Sequence, residues 1–245
     1  MIDVLDFHKS YGDTVAVDGL TFKAEPGQIL GLLGPNGAGK TTTMRAIAGI
    51  IPPTRGQLRV AGFDVVQQPV DAKRNLAYVP DDPKLFEALT IAEHLRFIAA
   101  AYDVRDWQSR AKPLLEQFEL ADKTEKLAQE LSRGMRQKVA ICCAYLHEPR
   151  AILVDEPLTG LDPRGIRTMT QSLRNRAAGG AAVVISSHLL ALVEDLCTHL
   201  LILHHGRRLF VGPVDEARAA FAAIDADQSL ENVFFRATEG ATAEL

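Results

Sequence analysis

The chain has 245 residues, a length that fits one large domain or one core carrying an inserted subdomain. Its 47% hydrophobic and 24% charged residues are typical of a globular protein, and its net charge of −4 argues against a general nucleic-acid binder, which would usually be basic. No stretch reaches the roughly 18 consecutive apolar residues of a membrane span, the N-terminus lacks the features of a signal peptide, and three cysteines without a CxxC pair do not indicate a disulfide framework.

The predicted elements begin with β-like runs separated by turns. In chain order these runs are IDVLDFHKSYG, VAVDGLTFKA, QILGLLG, the hairpin within IPPTRGQLRVAGFDV, and NLAYVPD. The third run leads through a glycine-rich turn into the apolar helix KTTTMRAIAGI. From about Leu89 to Leu146 the pattern changes to helical periodicity, which predicts a block of helices.

Strands and helices alternate again after Leu146. The runs are the strand AILVDEP, the helix RGIRTMTQSLRNRAA, the buried strand GGAAVVISSH, the helix LLALVEDLC and the closing hairpin HLLILHHGRRLFVG. Such alternation predicts an α/β fold with a mostly parallel sheet and helices on both of its faces. We therefore assign residues 1–88 and 147–245 to a core and about 89–146 to an inserted helical subdomain, within a single domain.

A complete phosphate-binding motif, GPNGAGKT, follows the third β-like run and opens the helix after it. It matches G-x-x-x-x-G-K-[ST] in full, in the expected strand-to-helix context. Glycines let such a loop wrap with its N–H groups pointing inward. We expect Lys40 to reach the β- and γ-phosphates and Thr41 to place its hydroxyl on Mg²⁺. The residues assigned to this site are Gly34, Pro35, Asn36, Gly37, Ala38, Gly39, Lys40, Thr41 and Thr42.

Two acidic residues end the apolar run AILVDEP. Because open α/β sheets bind ligands at the carboxyl ends of their strands, Asp155 and Glu156 are expected near the phosphate-binding loop. Asp155 would hold Mg²⁺ through water, and Glu156 would polarise the attacking water as a general base. His188 also follows a buried strand, and there it would touch the γ-phosphate or the attacking water. A lone histidine is more often structural, and the company of the other motifs favours the catalytic role.

These motifs, in this order, resemble those of the nucleotide-binding subunit of an ABC transporter. The resemblance extends from Tyr11 to about Gly240, with LSRGMRQK at the position of the family signature and TGLDP at that of the D-loop. It implies a P-loop NTPase core of α/β class with a mostly parallel sheet, an N-terminal antiparallel β subdomain and an inserted α-helical subdomain. It also implies that ATP is bound with Mg²⁺ and hydrolysed to power a membrane transporter.

The resemblance further implies a paired enzyme. In this family two subunits pair head to tail, so that Ser132, Gly134 and the helix start behind them would close over the γ-phosphate in the second subunit. Asp162 would contact the second subunit across the interface. Tyr11 stands where the family places an aromatic ring that stacks on adenine, and Val17 where a small apolar residue lines the same pocket. The structural alternatives are an N-capping serine on an amphipathic helix and a tyrosine packed at a strand end.

Two segments depart from the family pattern. The signature is often LSGGQ, whereas Arg133 and Met135 replace a glycine and the glutamine here, a form familiar in ATPases of exporters that pair with a separate six-helix membrane chain. After YVP the family usually has Gln or Glu, which contacts Mg²⁺ and the attacking water, whereas this chain has Asp81 followed by Asp82. Because Asp is one methylene shorter than Glu, Asp81 is expected to contact the metal through a bridging water rather than directly, and Asp82 is the neighbouring candidate.

The resemblance predicts partners as well as chemistry. These are a second nucleotide-binding subunit, either a copy of this chain or a relative, and an integral membrane permease, with no nucleic acid. The protein would then lie at the cytoplasmic face of the cell membrane. Leu85, Phe86 and Leu89 are the candidates for contact with the permease, and ordinary core packing is the alternative for Phe86.

Export is favoured over import by the signature variant and by the tail SLENVFFRATEG, on family analogy. The cargo is not encoded in this chain, because the permease would recognise it. Two alternatives differ in class: a soluble ABC-type ATPase that acts on ribosomes or DNA, and a small-molecule P-loop kinase. The sequence has neither a second nucleotide-binding domain nor a sustained heptad run, and a kinase would not need LSRGMRQK or TGLDP.

Overall fold

The computed structural model describes residues 1–158, 160–187 and 190–222. Thr159, His188 and the tail SLENVFFRATEG, all used in the sequence analysis, lie outside the described residues. Within the described ranges the strands are β1 Ile2–Tyr11, β2 Thr14–Ala24, β3 Ile29–Leu33, β4 Arg55–Val60, β5 Phe63–Asp64, β6 Leu76–Val79, β7 Ala151–Asp155, β8 Ala182–Ser186, β9 His199–His204 and β10 Arg207–Pro213. The helices are α1 Lys40–Ile47, α2 Pro69–Arg74, α3 Ile91–Ala101, α4 Trp107–Gln117, α5 Arg133–Tyr145, α6 Pro163–Ala178, α7 Leu190–Leu196 and α8 Val214–Ala222.

The smaller sheet is antiparallel and has the strand order β2-β1-β4-β5. Apolar side chains from its strands are buried on one face and pack in one cluster with the first helix, α1. Phe7 and Leu20 are fully buried, as are Met44 and Ile47 of α1. The N-terminal antiparallel subdomain implied by the resemblance is therefore confirmed.

The larger sheet has the strand order β10-β9-β3-β8-β7-β6, and β9 to β6 are parallel while β10 is antiparallel to β9. Every residue of β3, β7 and β8 is buried, which is typical of a parallel sheet covered on both faces by helices. The carboxyl ends of these three strands lie at one edge, so the loops that follow them converge. This arrangement confirms the predicted α/β fold.

Helices α3, α4 and α5 lie between β6 and β7 in the chain, where the helical block was predicted. Short 3₁₀ turns at Ala121–Lys123 and Ala128–Glu130 connect α4 to α5. Helix α3 begins with a capping box, in which the Thr90 hydroxyl accepts from the Glu93 N–H at 3.1 Å and the Glu93 carboxylate accepts from the Thr90 N–H at 2.8 Å. The domain boundaries assigned from the sequence stay a prediction.

Two further features bear on function. None of the helices in residues 1–158, 160–187 and 190–222 has the length and apolar character needed to cross a bilayer. The three thiols are free and buried, and this burial raises the pKa of Cys143 and Cys197 to about 12 and that of Cys142 well above its usual value.

Candidate active site

The phosphate-binding loop leaves the buried strand β3 and enters α1 at Lys40. A Cβ atom on Gly34 would lie 2.5 Å from the Leu203 carbonyl oxygen, and one on Gly39, where φ is +100°, would lie 2.7 Å from the Ala16 carbonyl oxygen. Glycine is therefore required at both positions. In the described part of the chain no side chain caps the start of α1, so its backbone N–H groups are available to an anion.

Lys40 lies folded over this loop. Its Nζ donates to the carbonyl oxygens of Gly34 at 2.6 Å and Pro35 at 3.1 Å. Burial lowers the pKa of Lys40, while the neighbouring carboxylates of Glu156 and Asp155 act in the opposite direction. A partly buried ammonium group held by two neutral carbonyls is well placed to gain from an anionic phosphate.

A cleft of about 320 Å³ opens beside the loop. Its lining is formed by residues 36–42 of the loop and helix start and by Thr14, Val15 and Ala16 of β2. Val17 is not among the residues that line the cleft. Its side chain is fully buried, and its Cγ2 would lie 3.1 Å from a Cβ atom on Gly39. Val15 and Ala16 line the cleft on this strand, and the role of Val17 in the nucleotide pocket stays a prediction.

Tyr11 lies half-exposed at the end of β1, directly opposite Thr14 of β2, a residue that lines the cleft. The Lys9 ammonium group lies 5.0 Å from the centroid of the Tyr11 ring, in a cation–π contact. The ring is therefore accessible from solvent at the β1–β2 turn, and its stacking on adenine stays a prediction.

The two acids after β7 lie in different environments. Asp155 is buried, pairs with Ser186 across the β7–β8 ladder, and accepts a hydrogen bond from the Ser186 hydroxyl. Glu156 is partly exposed and has a φ of +50°, which is uncommon for a residue other than glycine. Its N–H donates to the Ser186 carbonyl oxygen at 3.1 Å, which fixes this turn. The sequence analysis missed Ser186, although its position at the end of the neighbouring strand was a usable signal.

The donor set at this edge fits a magnesium ion. Thr41 offers a hydroxyl at the start of α1 and Asp155 a carboxylate at the end of β7, and oxygen ligands are those that Mg²⁺ prefers. The residues that the structure describes contain no group of three or more His, Cys, Asp or Glu side chains placed to hold a metal. A magnesium ion bound to a nucleotide is typically held by one or two protein ligands plus phosphates and waters.

The LSRGMRQK segment forms the start of α5. Ser132 is its N-cap, with a hydroxyl that accepts from the Met135 N–H at 3.3 Å, so the capping alternative is observed in this chain. Asp162 caps α6 in the same way, accepting from the Gly165 N–H at 2.8 Å. A Cβ atom on Gly134 would lie 2.6 Å from the Gly160 carbonyl oxygen. The signature and D-loop segments therefore touch within one chain.

The Asp81 carboxylate is held by a side chain from the start of α5. Its Oδ1 accepts a hydrogen bond from Nη2 of Arg133 at 2.9 Å. Asp81 and Arg133, which both depart from the family pattern, thus contact each other.

Comparisons with known proteins identify the family of this chain. Residues 17–159, more than half of the chain, match the ABC transporter family. ABC-type transporter ATP-binding protein EcsA of Bacillus subtilis (strain 168) is 35% identical over 241 residues, covering 98% of this chain and 97% of that protein. Nod factor export ATP-binding protein I of Paraburkholderia xenovorans (strain LB400) is 36% identical over 206 residues, covering 83% of this chain and 68% of that protein.

Solved structures give the same result. An ATP-binding subunit of an ABC transporter superposes with a TM-score of 0.92 at 36% identity, covering 97% of this chain and 99% of that one. CbiO1 from Clostridium perfringens, part of the ABC transporter complex cbiONQ, superposes with a TM-score of 0.76 at 25% identity, covering 89% and 90%. The chain belongs to the ABC transporter family, as an ATP-binding subunit of an ATP-powered membrane transporter.

Proposed function

We propose that this chain is the Mg²⁺-dependent ATPase of an exporter and works as a head-to-tail pair of subunits beneath a membrane permease. The observation that best supports the chemistry is the single sheet edge where a complete phosphate-binding loop meets Asp155 and Glu156. Family membership makes ATP the substrate and a permease the partner. The metal, the pairing, the direction of transport and the cytoplasmic location are our proposals.

On this proposal the residues of the edge divide the work. Lys40 exchanges its two carbonyl partners for the β- and γ-phosphates. Thr41 and the buried Asp155 hold Mg²⁺, which neutralises charge on the phosphates when bound. Glu156, turned out of the strand, accepts the proton of the attacking water. His188 lies outside the described residues and keeps its predicted place beside the γ-phosphate.

The pairing follows from having two phosphate-binding helix starts in one chain. The start of α1 forms one, and the start of α5, with Ser132 exposed and Gly134 partly exposed, forms the other. A two-fold pair would bring the α5 start of each subunit to the α1 start of the other and so make two complete sites. The exposed Asp162 beside them would contact the second subunit.

A groove offers a surface to the permease. It has a volume of about 260 Å³ and lies between the loop after β6 and helices α3 and α5. The Phe86 ring is 57% exposed and meets Phe97 edge-on, with ring centroids 5.4 Å apart. The Phe86 N–H donates to Nε2 of the buried His94 at 3.0 Å, and Nδ1 of His94 lies 2.7 Å from the Thr90 carbonyl oxygen. A fixed backbone with an exposed aromatic ring favours binding over core packing.

The direction of transport is argued from a relative and from the signature, and the location from the use of ATP. A relative named for Nod factor export and the Arg133–Met135 form of the signature both favour an exporter. The cytoplasmic face of the membrane follows from coupling to a permease while using ATP. The alternative, a soluble ABC-type ATPase acting on ribosomes or DNA, makes different predictions about what the chain binds.

The first experiment traps the Glu156→Gln variant with ATP and Mg²⁺ in solubilised native membranes and identifies the proteins that copurify. We expect a multi-span membrane protein and a second nucleotide-binding subunit. The matched control is Glu116→Gln, the same change at an exposed position on α4, which should not accumulate the complex. Recovery of ribosomes, DNA or soluble proteins alone would overturn the transport proposal and leave the ATPase chemistry standing.

A further inference from the structure

Three segments that are distant in sequence meet at one place. They are the loop after β6, which carries Asp81, the start of α5, which carries Arg133, and the loop after β7, which carries Gly160. Asp81 and Arg133 are 52 residues apart in the chain, and their side chains form an ion pair at 2.9 Å. Each side chain remains 47% exposed, so the contact lies at the surface rather than in the core.

The aliphatic part of Arg133 lies on the backbone of Gly160. A Cβ atom at Gly160 would lie 3.2 Å from Cδ and 3.3 Å from Cγ of Arg133, and Gly160 has a φ of +78°. A Cβ atom on the adjacent Gly134 would lie 2.6 Å from the Gly160 carbonyl oxygen, so the two backbones are in close contact. Arg133 therefore contacts a loop with its stem and a different loop with its guanidinium group.

Charge around this contact is complementary. The hydrogen bond from Lys84 is the main cause that lowers the pKa of the neighbouring Asp82 carboxyl, and Arg133 and Arg136 of α5 add to it. Two arginines at the start of α5 thus face two aspartates in the loop after β6. The Asp81 carboxylate is already engaged by the Arg133 guanidinium group, so a magnesium ion at Asp81 would have to displace this pair.

We propose that Arg133 is a positioning residue that fixes the start of α5 to the sheet edge by pairing with Asp81 and packing on Gly160. On this proposal Asp81 anchors Arg133 and is not a magnesium ligand. This replaces the metal role that the resemblance gave to Asp81. The pair would hold the signature turn in register with Glu156, which precedes Gly160 in the same loop.

We call the Asp81–Arg133 pair and the Arg133–Gly160 contact the clamp. A double-mutant cycle on the nucleotide-free chain tests it by hydrogen exchange. The variants are Asp81→Asn, Arg133→Gln and the two together. Each single change should speed exchange of the amides of residues 81–82 and 133–136 about two- to fivefold, the effect of losing a partly exposed ion pair. The double change should add nothing further. Independent, additive effects would overturn the proposal.

The matched control is Arg110→Gln, which breaks another exposed ion pair of the helical insertion, with Glu148 at 3.1 Å. It should leave exchange at residues 81–82 and 133–136 unchanged. The swapped pair Asp81→Lys with Arg133→Glu should restore part of the protection, and failure to restore any would count against the clamp.

Manganese affinity in the presence of ATP, measured by paramagnetic resonance, tests the second half of the proposal, which rests on the proposed function. Asp81→Asn should change it less than about twofold, whereas Asp155→Asn should weaken it by at least about tenfold. A tenfold loss in Asp81→Asn would make Asp81 a ligand and overturn the assignment. An unchanged affinity in Asp155→Asn would instead overturn the proposed magnesium site and leave the clamp standing.

Discussion

The phosphate-binding edge of the sheet and the start of α5 are held in opposite ways. The edge is set by three buried strands and by glycines whose neighbours are backbone atoms. The start of α5 is held by an exposed ion pair, a 3.3 Å cap and a contact between two glycines. Contacts of the second kind stabilise by about 1 kcal/mol each. The edge is therefore preformed, whereas the weaker contacts at the α5 start would let it adjust if the proposed pairing occurs.

The largest effect should come from Glu156→Gln at the preformed edge. Removing a general base lowers turnover by roughly 10²–10⁴-fold while ATP binding is kept. Steady-state phosphate release and equilibrium ATP binding measure the two quantities, with Glu116→Gln as control. Wild-type turnover in Glu156→Gln would show that the base lies elsewhere.

Phe86→Asp tests whether the groove at Phe86 binds the permease. A central aromatic anchor of an interface typically contributes about 2–4 kcal/mol, so transport in reconstituted vesicles should fall at least about thirtyfold, while ATPase activity of the isolated chain stays near wild type. Val70→Asp places the same charge at a 61% exposed position on α2 and should leave transport intact. Equal transport in both variants would place the permease contact elsewhere.

Gly34→Ala and Gly134→Ala compare the two regions directly. At Gly34 a Cβ meets the Leu203 backbone inside the fold, so we expect a loss of about 1–3 kcal/mol in unfolding free energy and of ATP binding. At Gly134 the α5 start should shift instead, with ATP binding kept and ATP-dependent pairing weakened. Gly179→Ala is the control, because a φ of −75° suits alanine and its Cβ would lie 3.4 Å from the nearest atoms, the Arg176 and Asn175 carbonyl oxygens. Urea titration and nucleotide binding measure each variant, and equal losses at Gly34 and Gly134 would remove the distinction.

The smallest effect separates two roles of Ser132. Ser132→Ala should lower the unfolding free energy by about 1 kcal/mol through the lost cap. Ser132→Asp keeps a good cap but adds a charge that repels phosphate, so stability should be retained while ATP-dependent pairing is lost. Sedimentation with ATP gives the second readout. Normal pairing of Ser132→Asp would exclude the serine from contact with phosphate.

The sequence predicted the regular parts of this fold well, because buried strands and amphipathic helices carry periodicities of their own. Helix α2 was missed, since its six residues are too short to show one. Helix α8 was missed as well; its nine residues include alanines that carry little pattern.

Within the site, complete motifs were placed at one edge because each follows a strand of the same parallel sheet. The lining of the cleft was harder to predict, since a shift of one or two residues along β2 decides which side chains reach it. The Asp81–Arg133 contact was not predictable, because the pairing of two surface side chains 52 residues apart depends on how α5 docks. The positive φ of Glu156 also lacks a local signal, since no glycine marks it.

The buried thiols have a practical consequence. Burial raises the pKa of all three thiols, so little of the reactive thiolate form is present at neutral pH. Maleimide reagents should therefore react only slowly with the natural cysteines. A cysteine introduced at the α5 start or in the permease groove would then be the one that is labelled. Spectroscopic distances between such labels would test the proposed pairing of subunits without replacement of the natural cysteines.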